Sequence, residues 1–128
     1  MRLLLDTHSL LWFIGGDANL PESARSLIED PANQSFVSVA SLWEMAIKVS
    51  LGRLTLKSSF ETLVPHQLQQ NGFGLLPITV AHLASVISLP FHHRDPFDRL
   101  LIAQATVEQM ALVSRDGAFE AYDVNRLW

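Results

Sequence analysis

The chain contains no cysteine and few charged residues, and each of these features excludes some kinds of site or binding surface. With no thiol among its 128 residues, disulfide bonds, thiolate zinc sites and cysteine nucleophiles are all excluded. No apolar run approaches the roughly 20 residues that span a bilayer. Only 17% of the residues are charged, and a net charge of −4 argues against a protein held to nucleic acid mainly by a basic surface. We therefore expect a soluble, cytoplasmic protein with no membrane partner.

The length and the order of apolar segments predict one α/β domain that spans residues 1–128. The hydrophobic content of 48% is typical of a globular chain, and no repeat or linker divides it. Two helical segments separate most successive strand-like runs, which favours a mainly parallel sheet of four or five strands with helices on both faces. Strands are predicted at 2–6, 35–39, 74–78, 111–114 and 122–128, and helices at 8–14, 21–30, 41–52, 58–72, 80–89 and 96–110. Pro65 is expected to kink or divide the fourth helix.

Acidic residues fall where the predicted strands end. Asp6 closes the first strand, Glu44 lies one turn into the helix after the second, and Asp116 follows the last core strand. Asp95 and Asp98 begin the helix before that strand. Because ligands bind at the carboxyl ends of strands in open parallel sheets, these acids are expected to share one cleft. Crowded carboxylates repel one another unless a cation neutralises them, and Mg²⁺ or Mn²⁺ prefers such oxygen ligands.

Each acid also has a purely structural explanation. Aspartate between a strand and a helix is a favoured N-cap that contributes about 1 kcal/mol, and Asp6, Asp95 and Asp116 all fit that role. Asp98 lies at the third helical position, where it completes a form of capping box. Glu44 either points back towards the strand ends or is solvated at the surface. Four acids at three separate strand ends together favour a metal site.

The scarcity of lysine excludes one class of acidic-cleft protein. A response-regulator receiver needs a lysine after a late core strand, but Lys48 and Lys57 are the only lysines and both come early. We accordingly expect the carboxylate cluster to have no lysine partner. A haloacid-dehalogenase-type phosphatase needs a second aspartate two residues after Asp6, and His8 occupies that position.

Four stretches resemble PIN-domain proteins of the VapC toxin type, in the correct order along the chain: "LLLDTHSLLWFI", "SLWEMAIKVSLGRLTL", "HHRDPFDRLLIAQA" and "LVSRDGAFEAYDV". The resemblance implies a three-layer α/β/α domain in which four acids hold Mg²⁺ or Mn²⁺ for ribonuclease activity. Matched residue by residue, these acids are Asp6, Glu44, Asp98 and Asp116, while Asp95 either assists them or only caps the helix.

Polar residues beside the acids are candidates for weaker roles. Thr7 and Ser114 are expected to orient a carboxylate or a metal-bound water or to contact the substrate. Many family members carry threonine where this chain has Ser114. Arg99 and Arg115 are either surface charges, salt-bridge partners or contacts for RNA phosphates. The adjacent histidines at 92 and 93 are poorly spaced to chelate one ion, so we expect them near a phosphate or in solvent.

The resemblance also implies partners. An RNA substrate, a small cognate antitoxin whose tail covers the active site, and a homodimer are all expected of this type of toxin. The acidic cleft suits an arginine-bearing peptide from such an antitoxin. The remaining alternative is a non-catalytic PIN-like interaction domain.

Overall fold

The computed structural model describes residues 1–128 and confirms the predicted α/β architecture. Its five strands are all parallel and lie in the order β3-β2-β1-β4-β5. The strands are β1 (Arg2–Leu5), β2 (Gln34–Ser38), β3 (Gly74–Leu76), β4 (Ala111–Val113) and β5 (Arg126–Leu127). The helices are α1 (Thr7–Gly15), α2 (Glu22–Glu29), α3 (Val39–Ser50), α4 (Phe60–Asn71), α5 (Val80–Ser88) and α6 (Pro96–Glu108). A 3₁₀ helix at Gly117–Ala121 precedes β5.

The central strand β1 supplies both hydrophobic cores. Leu3, Leu4 and Leu5 are all fully buried, and successive side chains of a strand point to opposite faces of the sheet. Leu3 and Leu5 pack in one core, and Leu4 packs in the other. Both faces of the sheet are therefore covered, as expected of a parallel sheet.

The strand order reverses at β1, which creates a crevice between the carboxyl ends of β1 and β4. The chain proceeds from β1 to β2 and β3 on one side and then returns to place β4 and β5 on the other. The N–H of Asp6 donates to the carbonyl of Val113 at 3.2 Å, and the Ser9 hydroxyl donates to the same oxygen at 3.0 Å. The residues that directly follow β1 and β4 consequently lie at the same edge of the sheet. Open α/β proteins bind ligands at this edge.

One local prediction is narrowed by the structure and another needs correction. The α4 helix runs from Phe60 to Asn71 as one element, so Pro65 does not divide it. Proline removes the hydrogen bond to the carbonyl of Glu61, but both residues are exposed, and water can satisfy that carbonyl. The last strand is only two residues long, because residues 122–124 of the predicted strand bend instead of extending. None of the helices combines the length and apolarity needed to cross a membrane.

Candidate active site

Asp6 has both a structural and a free carboxylate oxygen. It directly follows β1 and caps α1, because its Oδ1 accepts a hydrogen bond from the N–H of Ser9 at 2.8 Å. Its second oxygen accepts no hydrogen bond from the protein, although the residue is only 7% exposed and lines the cleft beside Asp116. The capping explanation is thus correct and leaves one oxygen available for a ligand. Asp95 and Asp116 are also N-caps, of α6 and of the 3₁₀ helix.

The Glu44 carboxylate is held by two neighbouring side chains. The Thr7 hydroxyl donates to its Oε1 at 2.6 Å, and the Lys48 ammonium lies 2.9 Å from its Oε2. Thr7 therefore orients a carboxylate. The expectation that the acids have no lysine partner is wrong, because Lys48 lies one turn after Glu44 on the same helix, where opposite charges pair. Glu44 is not a solvated surface residue, since its side chain is only 13% exposed.

His93 lies between two of the predicted acids. Its Nε2 is 3.1 Å from Oδ2 of Asp98 and 3.5 Å from Oδ2 of Asp116, and potential ligand atoms of the three residues all lie within 4.8 Å of one another. The N–H of Asp95 donates to His93 Nδ1 at 3.3 Å, so the ring proton belongs on Nε2. His93 is therefore not simply solvated, whereas His92 is exposed, and no spacing in the sequence singles out His93.

The carboxyl group of Asp98 is strongly affected by its surroundings. Burial, followed by the negative charges of Asp95, Glu44 and Asp6, raises its pKa from 3.8 to about 7 against the opposing effect of His93. These charges act on Asp98 only because the acids occupy one region. The structure thus brings the predicted acids of three strand ends together.

An open cleft of about 450 Å³ adjoins these acids. Its wall combines two carboxylates with two aromatic rings and a guanidinium, contributed by Asp6, His8, Trp12, Arg115, Asp116 and Gly117. The guanidinium of Arg115 lies 4.8 Å from the centre of the Trp12 ring. Ser114 is fully buried below the cleft, and its Oγ accepts a hydrogen bond from the N–H of Asp116 at 3.0 Å. Ser114 hence fixes the loop that carries Asp116.

Arg99 does not belong to the cleft. It is 6% exposed, and its guanidinium lies 4.1 Å from the centre of the Phe91 ring. It donates hydrogen bonds to the carbonyls of Val86, Leu89, Pro90 and His93 at 2.9–3.5 Å. The predictions of a salt bridge or a surface charge are therefore wrong, because this side chain binds carbonyls at the end of α5 and in the segment that joins α5 to α6. The contact with an RNA phosphate stays a prediction.

The donor set fits a hard divalent cation. Asp6 has an unpartnered oxygen, and Oδ2 of Asp98 and of Asp116 are contacted only by His93. Carboxylate oxygens beside an open cleft suit Mg²⁺ or Mn²⁺, which keep several of their water ligands. A cation would also offset the negative charges that, together with burial, raise the pKa of Asp98.

The chain matches a known family along nearly its whole length. The family model for the PIN domain matches residues 3–125. Ribonuclease VapC16 of Mycobacterium tuberculosis is 31% identical over 67 residues, which is 52% of this chain and 48% of that relative. The matched stretch therefore spans less than half of the relative's length.

Solved structures support the same fold. A VapBC2 structure from Rickettsia felis, bound to a DNA fragment from its promoter, aligns with a TM-score of 0.72 at 15% identity, covering 99% of this chain and 98% of that chain. A toxin–antitoxin complex from Klebsiella pneumoniae aligns with a TM-score of 0.66 at 16% identity, covering 98% and 96%. At such identities the likeness establishes the fold.

Proposed function

The chain belongs to the PIN-domain family, and from that membership we propose that it is a cytoplasmic, metal-dependent endoribonuclease formed by a single domain, 1–128. The observation that carries this proposal is the group of carboxylates around Asp98, whose pKa rises to about 7 through burial and through the charges of Asp95, Glu44 and Asp6. Such an accumulation of negative charge is costly unless a cation binds there. VapC16, described as a ribonuclease, supports the choice of RNA as substrate.

Asp6, Asp98 and Asp116 would hold Mg²⁺ or Mn²⁺, with Glu44 completing the set. When bound, such a cation supplies charge neutralisation at the scissile phosphate and activation of water for phosphodiester hydrolysis. The protein's own contribution is position: α1 fixes Asp6 through the cap to Ser9, and Thr7 fixes Glu44. Each anchor lets its acid keep one orientation, as residues behind metal ligands commonly do.

The test is cleavage of a panel of structured and single-stranded RNAs by the purified protein, with Mg²⁺, with Mn²⁺ and with EDTA. We expect cleavage only with metal, and a loss of about 100-fold or more in Asp6→Asn and Asp98→Asn, because each removes a charged ligand. Glu61→Gln is the matched control, since Glu61 is an exposed acid at the start of α4. Equal cleavage by the EDTA-treated protein would overturn the mechanism. Metal binding without cleavage of any RNA would instead favour the non-catalytic interaction domain.

The chain is also proposed to be the toxin of a type II toxin–antitoxin pair. The structural neighbour from Klebsiella pneumoniae, described as a toxin–antitoxin complex, supports a small protein partner. The carboxylates of the cleft suit an arginine from that partner. Co-expression with the protein encoded beside it, followed by co-purification, tests this pairing.

A homodimer is the expected assembly, and α5 is the best candidate for its interface. Val80 is 83% and Ile87 85% exposed, Leu83 is half exposed, and Phe91, three residues after the helix, is 80% exposed. The helix carries no Lys, Arg, Asp or Glu, so its face needs no opposite charge and can meet a second copy of itself across a twofold axis. Sedimentation of wild type and Ile87→Glu tests this, since a buried glutamate should shift the protein to monomer.

A further inference from the structure

Three flat side chains lie together at one wall of the acidic cleft. The rings of His8 and Trp12 have centroids 5.6 Å apart and an interplanar angle of 36°, and the Arg115 guanidinium lies 4.8 Å from the Trp12 ring centre. Trp128 contacts Trp12 edge-on at 6.0 Å. We refer to His8, Trp12 and Arg115 as the stacking wall.

The fold places the stacking wall beside the carboxylates. His8 and Trp12 are one turn apart on α1, whose first turn Asp6 caps, so both rings lie on the helix face next to Asp6. Arg115 follows β4, the neighbour of β1, and precedes Asp116. All three side chains line the same cleft as Asp6 and Asp116.

Neither His8 nor Arg115 is explained by the stability of the fold. Both residues are exposed, and Arg115 forms no ion pair although Asp116 is its neighbour in the chain. The only partner of the Arg115 guanidinium is the Trp12 ring. A guanidinium plane has two faces, so a second flat group can stack on Arg115 from the cleft.

We propose that the stacking wall holds one unpaired nucleobase of an RNA strand next to the scissile phosphate. The inference rests on the proposed nuclease function and adds to it a base-binding subsite. Unpaired bases of RNA stack on aromatic rings and on arginine planes, and such stacking tolerates different bases because each has a π-face.

The charges beyond the stacking wall favour RNA as its occupant. A second cleft of about 580 Å³ shares His8 and Trp12 with the first, and its rim carries Lys48, Arg53 and Lys57 against a single acid, Asp17. Arg53 and Lys57 form no ion pair, whereas Lys48 pairs with Glu44. Unpaired cationic side chains beside the stacking wall suit the backbone phosphates of the RNA strand whose base the wall would hold.

The experiment combines abasic RNA with variants of the stacking wall. The substrate is the shortest single-stranded oligoribonucleotide that the wild-type protein cleaves with Mn²⁺, so the scissile bond fixes the register. An abasic nucleotide is placed at each position in turn, and KM and kcat are measured for wild type, His8→Ala, Arg115→Ala and Arg115→Lys. Arg25→Ala is the matched control, because Arg25 also lies over an aromatic ring, at 5.3 Å from Phe13, but lines neither cleft.

We expect one position at which the abasic nucleotide raises KM about tenfold in wild type and in Arg25→Ala, but less than about twofold in His8→Ala and Arg115→Ala. Arg115→Lys should behave like Arg115→Ala, because an ammonium keeps the charge without the plane.

Two results would overturn the inference while the nuclease function stands: equal abasic effects in wild type and variants, or full rescue by Arg115→Lys. Weakened binding of the protein partner in His8→Ala and Arg115→Ala, with unchanged RNA kinetics, would assign the wall to protein docking and also overturn it. If the wild type neither cleaves nor binds any RNA, the proposed function and this inference both fall.

Discussion

His93 Nε2 lies 3.1 Å from Oδ2 of Asp98, and the same nitrogen reaches Asp116 at 3.5 Å. One ring N–H thus serves two carboxylates that would otherwise face each other without a donor. His93 lowers the pKa of Asp98, but burial and the surrounding acids outweigh it and hold that pKa at about 7. Below about pH 7 the metal-free site therefore favours a protonated carboxyl group at its centre.

The stability of the metal-free protein should fall as pH rises from about 4 to about 7. Asp98 has a higher pKa in the folded protein than the 3.8 expected when unfolded, so the folded state binds more protons in this window and loses its advantage as they dissociate. Because the side chain is 26% exposed, solvent screening reduces the effect to about 1–2 kcal/mol, or about 5 °C in Tm. Thermal unfolding in EDTA across this range measures it.

The control for this effect is Asp98→Asn, which removes the titrating group while keeping the shape of the side chain. Its Tm in EDTA should exceed that of wild type above pH 7, and Mg²⁺ should raise the Tm of wild type more than that of the variant. A wild-type Tm that rises steadily through the same pH window would contradict the prediction.

His93→Ala should raise the affinity for Mn²⁺ several-fold. The Nδ1 atom accepts from the N–H of Asp95, so Nε2 carries a proton and cannot ligate a metal until the ring moves or changes tautomer. A cation must accordingly displace His93 from Oδ2 of Asp98 and Asp116. Calorimetric titration of wild type, His93→Ala and the neighbouring His92→Ala measures this. Weaker binding in His93→Ala alone would identify His93 as a ligand instead.

The sequence predicted the sheet and its acids because both depend on local patterns. Short apolar runs define the strands, and Asp6 and Asp116 directly follow β1 and β4, so the meeting of parallel strand ends determines where these acids lie. The pairing of Glu44 with Lys48 had a usable signal, since glutamate four residues before lysine on a helix favours an ion pair.

The roles of His93 and Arg99 were harder to predict. His93 lies in the segment between α5 and α6, whose path follows no periodicity, and tertiary contacts alone bring it to Asp98. Arginine is normally exposed, yet Arg99 shares the buried face of α6 with Ile102 and Ala103, three and four residues later. The spacing of three and four residues from Arg99 to these apolar residues was the feature of the sequence that indicated an inward-facing Arg99 side chain.

Thr7→Val should lower kcat about tenfold with little change in KM for RNA, whereas Thr7→Ser should stay close to wild type. The Thr7 hydroxyl donates to Glu44 Oε1 at 2.6 Å, so valine, which has nearly the same shape, leaves this carboxylate free to turn. Steady-state cleavage with saturating Mn²⁺ measures the effect. An equal loss in Thr7→Ser, or a valine variant with wild-type kcat, would mean that the hydroxyl does not position Glu44.

Arg99→Met should destabilise the protein by about 3 kcal/mol or more, because four backbone carbonyls lose their charged donor in a buried region. Arg99→Lys should recover little, since one ammonium cannot replace a planar group that also stacks on Phe91 at 4.1 Å. Arg115→Ala is the matched control, because it removes a guanidinium that is exposed and forms no hydrogen bond. It should change stability by less than about 0.5 kcal/mol. Urea unfolding of the three variants measures these differences. Wild-type stability in Arg99→Met would show that the segment between α5 and α6 holds without this side chain, and would favour the prediction that Arg99 contacts RNA.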